Sequence, residues 1–284
     1  LDRTAYPFEH HVFESEDGKM HYVDEGSGRT LLLVHGTPTW SFLWRHLVRA
    51  LSNTYRVVAP DHLGFGLSEK PASAPYRPAD HARRLSAFVD QLDLGEYVLG
   101  VHDFGGPIGL ARAIDRPEEV RGLLLFNTWM WSKNDEWITR WASRLFATGL
   151  GKWLYRSQNF SPRILLPSLF GDRSALTAAI HDHYLGPFSR PEERTAPWVL
   201  ARELIGSSDW YETLWNQRVR LVDRPALILW GLADSAFGEK DLNRWQSALP
   251  QAEVHPFEEA GHFVPEERPV ETEESVRDFL EEIC

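Results

Sequence analysis

The sequence predicts an α/β fold: a mostly parallel central sheet, helices on both faces, and a helical cap inserted as a lid. Short apolar, β-rich runs recur at 31–34, 55–59 and 97–101, and each is followed by Gly, Pro or Asp. Helix-patterned stretches at 41–51 and 78–92 separate them. Strands alternating with helices imply parallel pairing through crossover connections. From about Thr128 to Val219 the buried-strand pattern vanishes. Trp129, Trp131, Trp137, Trp141, Trp153, Trp198, Trp210 and Trp215 crowd there among prolines and helical patterns.

The remaining elements follow in order. Gly122 to Phe126 and Ala226 to Trp230 read as further buried strands, Glu253 to Pro256 as a short last strand, and Ser275 to Ile283 as a closing amphipathic helix. The expected division is a core of residues 1–127 and 220–284 with a cap of residues 128–219. An insertion placed after the carboxyl end of a strand lies over the crevice where such sheets bind ligands. Most of its tryptophans are expected to form the cap's own core.

Composition narrows the function classes. The chain of 284 residues is 43% hydrophobic, enough for one sizeable core. Its 41 acidic and 30 basic side chains leave a net charge of −11, which gives no electrostatic drive toward nucleic acid or an anionic membrane. No apolar run approaches the roughly 20 residues that span a bilayer, and no secretory signal is visible. The lone cysteine, Cys284, excludes an intrachain disulfide framework, so a reducing, cytoplasmic setting is expected.

The chemistry concentrates at four places. In Tyr97 to Leu110 an apolar strand runs into a sharp turn with Asp103 at its apex, then Phe104, Gly105, Gly106 and a helix. That is the form of a nucleophile elbow, although Val101 stands where the serine-hydrolase pattern has glycine. A carboxylate at the apex can attack an sp3 carbon and leave an alkyl ester. Gly36-Thr37-Pro38 follows an early strand, and the backbone amides of Thr37 and Phe104 would form the oxyanion hole. Ala260-Gly261-His262-Phe263 supplies a base late in the chain. Trp230-Gly231-Leu232-Ala233-Asp234 ends a buried strand in an acid that would orient that base. Asp209 and Asp241 are weaker candidates, because neither directly follows a strand. His35 and His102 are expected to serve structure, and Asp61 to Ser68 a scaffold turn.

With these residues in place, the sequence resembles the haloalkane dehalogenases of the α/β-hydrolase superfamily over almost its whole length. The likeness is closest at His35 to Arg45, Asp61 to Ser68, His102 to Pro107 and Ala260 to Phe263. It implies an α/β-hydrolase fold and an Asp103–His262–Asp234 triad that hydrolyses a small apolar substrate with water. It implies no metal or organic cofactor, and a monomer or homo-oligomer. In one branch of the family the acid follows the strand before the cap; Asn127 stands near that place here, which favours Asp234. Family members hold the departing halide with a tryptophan directly after the nucleophile and often an asparagine in the early loop. Phe104 and Thr37 occupy those positions, and phenylalanine has no N–H. Each lost charge-assisted bond is worth about 1.5–3 kcal/mol, or about one to two powers of ten in rate. Trp129 and Trp131, at the start of the cap, are the candidate substitutes.

Two other readings stand beside this one. Opening an epoxide or a β-lactone keeps the leaving oxygen attached and needs no halide site; an epoxide also needs a cap acid, for which Tyr155, Tyr184 and Tyr211 are available. A non-catalytic ligand-binding protein would be marked by loss of triad members. An ordinary esterase is disfavoured, because acyl transfer to a carboxylate gives a labile anhydride.

Overall fold

The computed structural model describes residues 2–283; Leu1 and Cys284, and with them the lone cysteine, lie outside the described residues. The described strands are β1 (His11–Ser15), β2 (Gly18–Glu25), β3 (Thr30–Val34), β4 (Arg56–Pro60), β5 (Tyr97–Asp103), β6 (Val120–Thr128), β7 (Ala226–Gly231) and β8 (Glu253–Phe257). They form a single sheet in the order β1-β2-β4-β3-β5-β6-β7-β8. Pairing is parallel from β4 through β8 and antiparallel at β1–β2 and β2–β4. Every residue of β3, β5 and β7 is buried. Helices cover both faces of a parallel sheet, so its central strands are apolar throughout rather than alternating. That is why they were readable as short apolar runs.

The β1–β2 hairpin is absent from the sequence expectation. Its residues are largely half-exposed and polar, and only the Asp17-Gly18 pair at its turn offered a signal. The core helices flank the sheet: α1 (Arg45–Leu51), α2 (Pro78–Leu92) and α3 (Gly105–Asp115). A 3-10 turn at Ser41–Trp44 precedes α1, so the expected helix over 41–51 is a composite.

Between β6 and β7 the chain forms α4 (Trp137–Phe146), α5 (Gly149–Arg156), α6 (Ala178–Leu185), α7 (Thr195–Gly206) and α8 (Ser208–Asn216), with further short helical turns, among them Ser161–Leu165 and Leu166–Ser168, in the connections. Helices α4 and α5 pack on α7 and on each other, whereas α8 packs on α3. Tyr211 and Leu214 on α8 belong to the apolar cluster that includes Ile108 and Leu110 of α3. The last helix of the expected insert of residues 128–219 packs both on α3 and on α7. After β7 come α9 (Glu239–Ala248) and α10 (Pro269–Ile283). The last helix starts six residues before the expected Ser275, with Pro269 in its first turn, where the missing N–H costs nothing.

Candidate active site

The carboxyl ends of β3, β5, β6 and β7 meet under the cap. Asp103 ends β5 with φ at +50°, a conformation uncommon for a residue with a Cβ. Its surroundings accept that turn only because they are small. A Cβ added to Gly36 would meet Asp103 Oδ1 at 2.2 Å, and one on Gly106 would meet Thr128 Oγ1 at 1.9 Å. The Thr128 hydroxyl donates to the Asp103 carbonyl at 2.6 Å and ties the elbow to β6. The Thr37 amide donates to Asp103 Oδ1 at 2.7 Å, while Oδ2 lies 3.6 Å from His262 Nε2.

His262 and Asp234 are both buried, with Nδ1 and Oδ2 2.7 Å apart. Asp234 is itself saturated. Its Oδ1 accepts the Ala236 amide at 2.7 Å, and its Oδ2 also accepts Asn127 Nδ2 at 2.9 Å. Burial disfavours a charged His262, yet Asp234 and Asp103 on its two sides outweigh it and push its pKa up to about 10.

Asn127, near the end of β6, bonds Asp234 and helps to orient it. At φ +27° it donates to the Gly231 carbonyl and accepts the Gly231 amide, so it bolts the end of β6 to that of β7. Sequence reasoning read Asn127 only as a missing carboxylate. His102 lies behind the site. Burial drives its pKa down to about 3, and its neutral ring donates from Nε2 to the His262 carbonyl at 2.9 Å. His35 is buried in the early loop, where Nδ1–H donates to the Gly36 carbonyl and Nε2 accepts the His62 amide. Asp61 accepts the Ser41 and Leu67 amides, which holds the Asp61–Ser68 turn. Asp241 pairs with Lys133 at 3.1 Å, and Asp209 is exposed on α8; neither approaches His262 closely enough to bond it.

Above the triad lies a cavity of about 660 Å³. Phe104, Phe146, Tyr155, Phe160, Leu204 and Phe237 supply much of its apolar wall, with Thr37, Asp103 and His262 at the base. Lys133, Asp135, Glu136 and Lys240 also line it. The expected cap donors are not part of this wall. Trp129 is packed behind it, edge-on to Phe104 at 4.7 Å and stacked on Phe237 at 5.0 Å. Trp131 packs against Trp215 and Trp245. Both are fully buried because the strand-to-cap connection runs between α8 and α9 before it reaches the cap. The indole of Trp245 even donates to the Thr128 carbonyl at the start of that connection.

The three tyrosines separate clearly. Tyr184 donates to Glu266 in a buried cluster with Arg45, and Tyr211 donates to the Glu203 carbonyl at 3.0 Å. Only Tyr155 lines the cavity, and its hydroxyl makes no hydrogen bond to another described residue. Burial, and then the Asp103 charge, raise its pKa and keep the phenol protonated.

A family model of the alpha/beta hydrolase fold matches residues 29–269. The chain belongs to the α/β-hydrolase family. Haloalkane dehalogenase 2 of Mycobacterium tuberculosis is 36% identical over 270 residues, covering 94% of this hydrolase and 93% of its relative. A cis-3-alkyl-4-alkyloxetan-2-one decarboxylase of Xanthomonas campestris is 34% identical over 92% of each chain. Among solved structures, the haloalkane dehalogenase DatA from Agrobacterium tumefaciens aligns over 97% of each chain with a TM-score of 0.86 at 27% identity. Within its family this hydrolase is haloalkane-dehalogenase-like.

Proposed function

We propose that the chain hydrolyses carbon–halogen bonds in small apolar molecules, with Asp103 as nucleophile, His262 as base and Asp234 as the acid that orients it. The observation that carries this reading is the division of labour on Asp103. One carboxylate oxygen is held by the Thr37 amide, and the other is open to the cavity beside His262. Attack by Oδ2 on the halogen-bearing carbon forms an ester and expels halide. His262 then takes a proton from water as the hydroxide adds to the ester carbonyl carbon. The negative charge that develops on Oδ1 faces the Thr37 N–H, already 2.7 Å away. Collapse breaks the acyl–oxygen bond, and the departing alkoxide takes a proton from the imidazolium. The sum is halide, alcohol and one proton from haloalkane and water.

The electrostatics order these steps. In the free enzyme the carboxylates of Asp103 and Asp234 keep His262 protonated, since its pKa stands near 10. Esterification removes the charge of Asp103 and one of the two supports of the imidazolium. The base therefore becomes competent once the ester exists.

A second reading has specific support. Phe104 brings no N–H to the cavity, and Tyr155 offers the one phenol on its wall. An oxygen leaving group on a strained β-lactone ring would stay attached to the substrate and could accept that phenol's hydrogen bond. The epoxide variant loses ground, because Tyr184 and Tyr211 are committed elsewhere.

Mass spectrometry of a His262→Phe variant, quenched after exposure to bromoalkanes or β-lactones, separates the two. An Asp103 adduct with the mass of the alkyl group, together with one equivalent of bromide, is the expected result. An adduct with the mass of the whole lactone, and none from any haloalkane, would transfer the assignment to ring opening.

A further inference from the structure

The cap carries a surface that the chemistry leaves unused. Along α4, Trp137, Trp141 and Leu145 recur at four-residue spacing, and all three face solvent, Trp141 with 66% of its surface exposed. Ile138 lies on the same arc. On α5, packed against α4, Leu150 and Trp153 are exposed by 55% and 50%. Inward positions hold Ser143, whose hydroxyl donates to the Arg202 carbonyl, and the buried Gly151 and Tyr155. The usual surface helix turns its apolar stripe to the core. Here a large part of that stripe is turned to water. Among the described residues none of Trp137, Trp141 or Trp153 has an aromatic partner, in contrast to Trp129, Trp131 and Trp215.

Charge on this part of the cap runs opposite to the rest of the chain. Residues 137–171 hold Arg140, Arg144, Lys152, Arg156 and Arg163 and no Asp or Glu, in a chain whose net charge is −11. Among the described residues none of the five has a carboxylate partner; Arg140 and Arg156 donate only to the Asn134 and Pro191 carbonyls. Exposed tryptophan and leucine with arginine and lysine, free of acids, is the composition of helices that lie in a lipid–water interface. A second copy meeting this face across a twofold axis would set like charges together. An anionic lipid surface would complement them.

We propose that the outer face of α4 and α5 seats the cap on an anionic lipid surface. The whole-chain charge hides this site, because the acidic excess lies outside residues 137–171. The cavity opens at its edge: Trp137 and Ile138 are exposed on the face and also line the cavity wall. Apolar molecules dissolved in the lipid thereby gain a short path to Asp103. The docking itself does not depend on which bond Asp103 breaks.

Sedimentation with vesicles of phosphatidylcholine, alone or mixed with phosphatidylglycerol, tests the proposal. The chain should partition about tenfold or more better onto the mixed vesicles at low salt and lose that preference at high salt, since each basic side chain at such a surface is worth about fivefold. Trp141→Ser with Trp153→Ser should weaken binding about tenfold, and Arg144→Glu with Lys152→Glu should abolish the anionic preference. Neither pair lines the cavity, so turnover of a water-soluble substrate should be unchanged; the charge-reversal pair carries the test if the tryptophan pair melts early. No partitioning onto mixed vesicles, equal partitioning onto both, or variants that bind as the parent does would overturn it. So would self-association that the Trp141→Ser and Trp153→Ser changes abolish, which would make a second copy the occupant.

Discussion

The floor and the roof of the cavity follow opposite rules. On the floor the proposed nucleophile and its partners are held by hydrogen bonds: Asp103 by Thr37 and Thr128, Asp234 by Asn127 and Ala236, His262 by Asp234 and His102. The rest of the wall is largely apolar, broken by Lys133, Asp135, Glu136 and Lys240, and Tyr155 is its one phenol. A buried carboxylate is costly unless it is bonded, so those of Asp103 and Asp234 keep one arrangement. An apolar roof has no such constraint. On the proposed chemistry, the floor would fix how carbon is attacked and the roof would leave the departing group largely to its own stability.

The largest effect expected from breaking the floor is at Asp234. Asp234→Asn should lower kcat by about four powers of ten, as loss of a triad acid does elsewhere. It should also change the pH dependence of stability. His262 has a folded pKa raised to about 10, so its ion pairs stabilise the fold fully below the ordinary value of roughly 6.5. That contribution is lost as pH rises through about 10. Melting temperature of the parent should fall over this alkaline range, and that of Asp234→Asn should start lower and fall less. Equal slopes would mean that Asp234 does not support the imidazolium.

Making the roof resemble the floor should have a smaller effect, in the opposite direction. Phe104→Trp places an N–H beside the leaving group, and bromide release should rise about tenfold. Phe104 is buried against Trp129, so the larger ring should cost about 1–3 kcal/mol of stability, visible in a thermal melt. A stable variant with unchanged bromide release would show that the leaving group is not limited by its donors. The smallest effect belongs to Tyr155→Phe. Removal of the phenol should reduce kcat about fivefold with KM nearly constant, the size of one neutral hydrogen bond made in the transition state. A rise in KM alone would make Tyr155 a binding residue.

Much of the fold was legible because its central strands are buried on both faces and therefore read as apolar runs. The β1–β2 hairpin was not, since a half-exposed edge strand mixes polar and apolar residues without a strong period. Asp103, His262 and Asp234 were each named from a local pattern, Asp103 at the end of a strand and the other two in the turns that follow one. Asn127 was missed because its role is a bond to a residue more than a hundred positions away. Trp129 and Trp131 were placed on the leaving-group side from their position at the start of the cap, but the connection carries them into the core instead.

By itself, the sequence determined the alternation of the buried central strands with helices, the carboxylate at the elbow, and the absence of an N–H on residue 104. These are properties of single residues or of short periodic runs. Only the tertiary structure decided that Tyr155 reaches the cavity while Tyr184 and Tyr211 do not, and that α4 and α5 present tryptophans to solvent. Aromatic side chains satisfy the same local pattern whether they pack inward or outward. Which way they turn depends on the volume left by neighbours far away in the chain, and no local pattern records that volume.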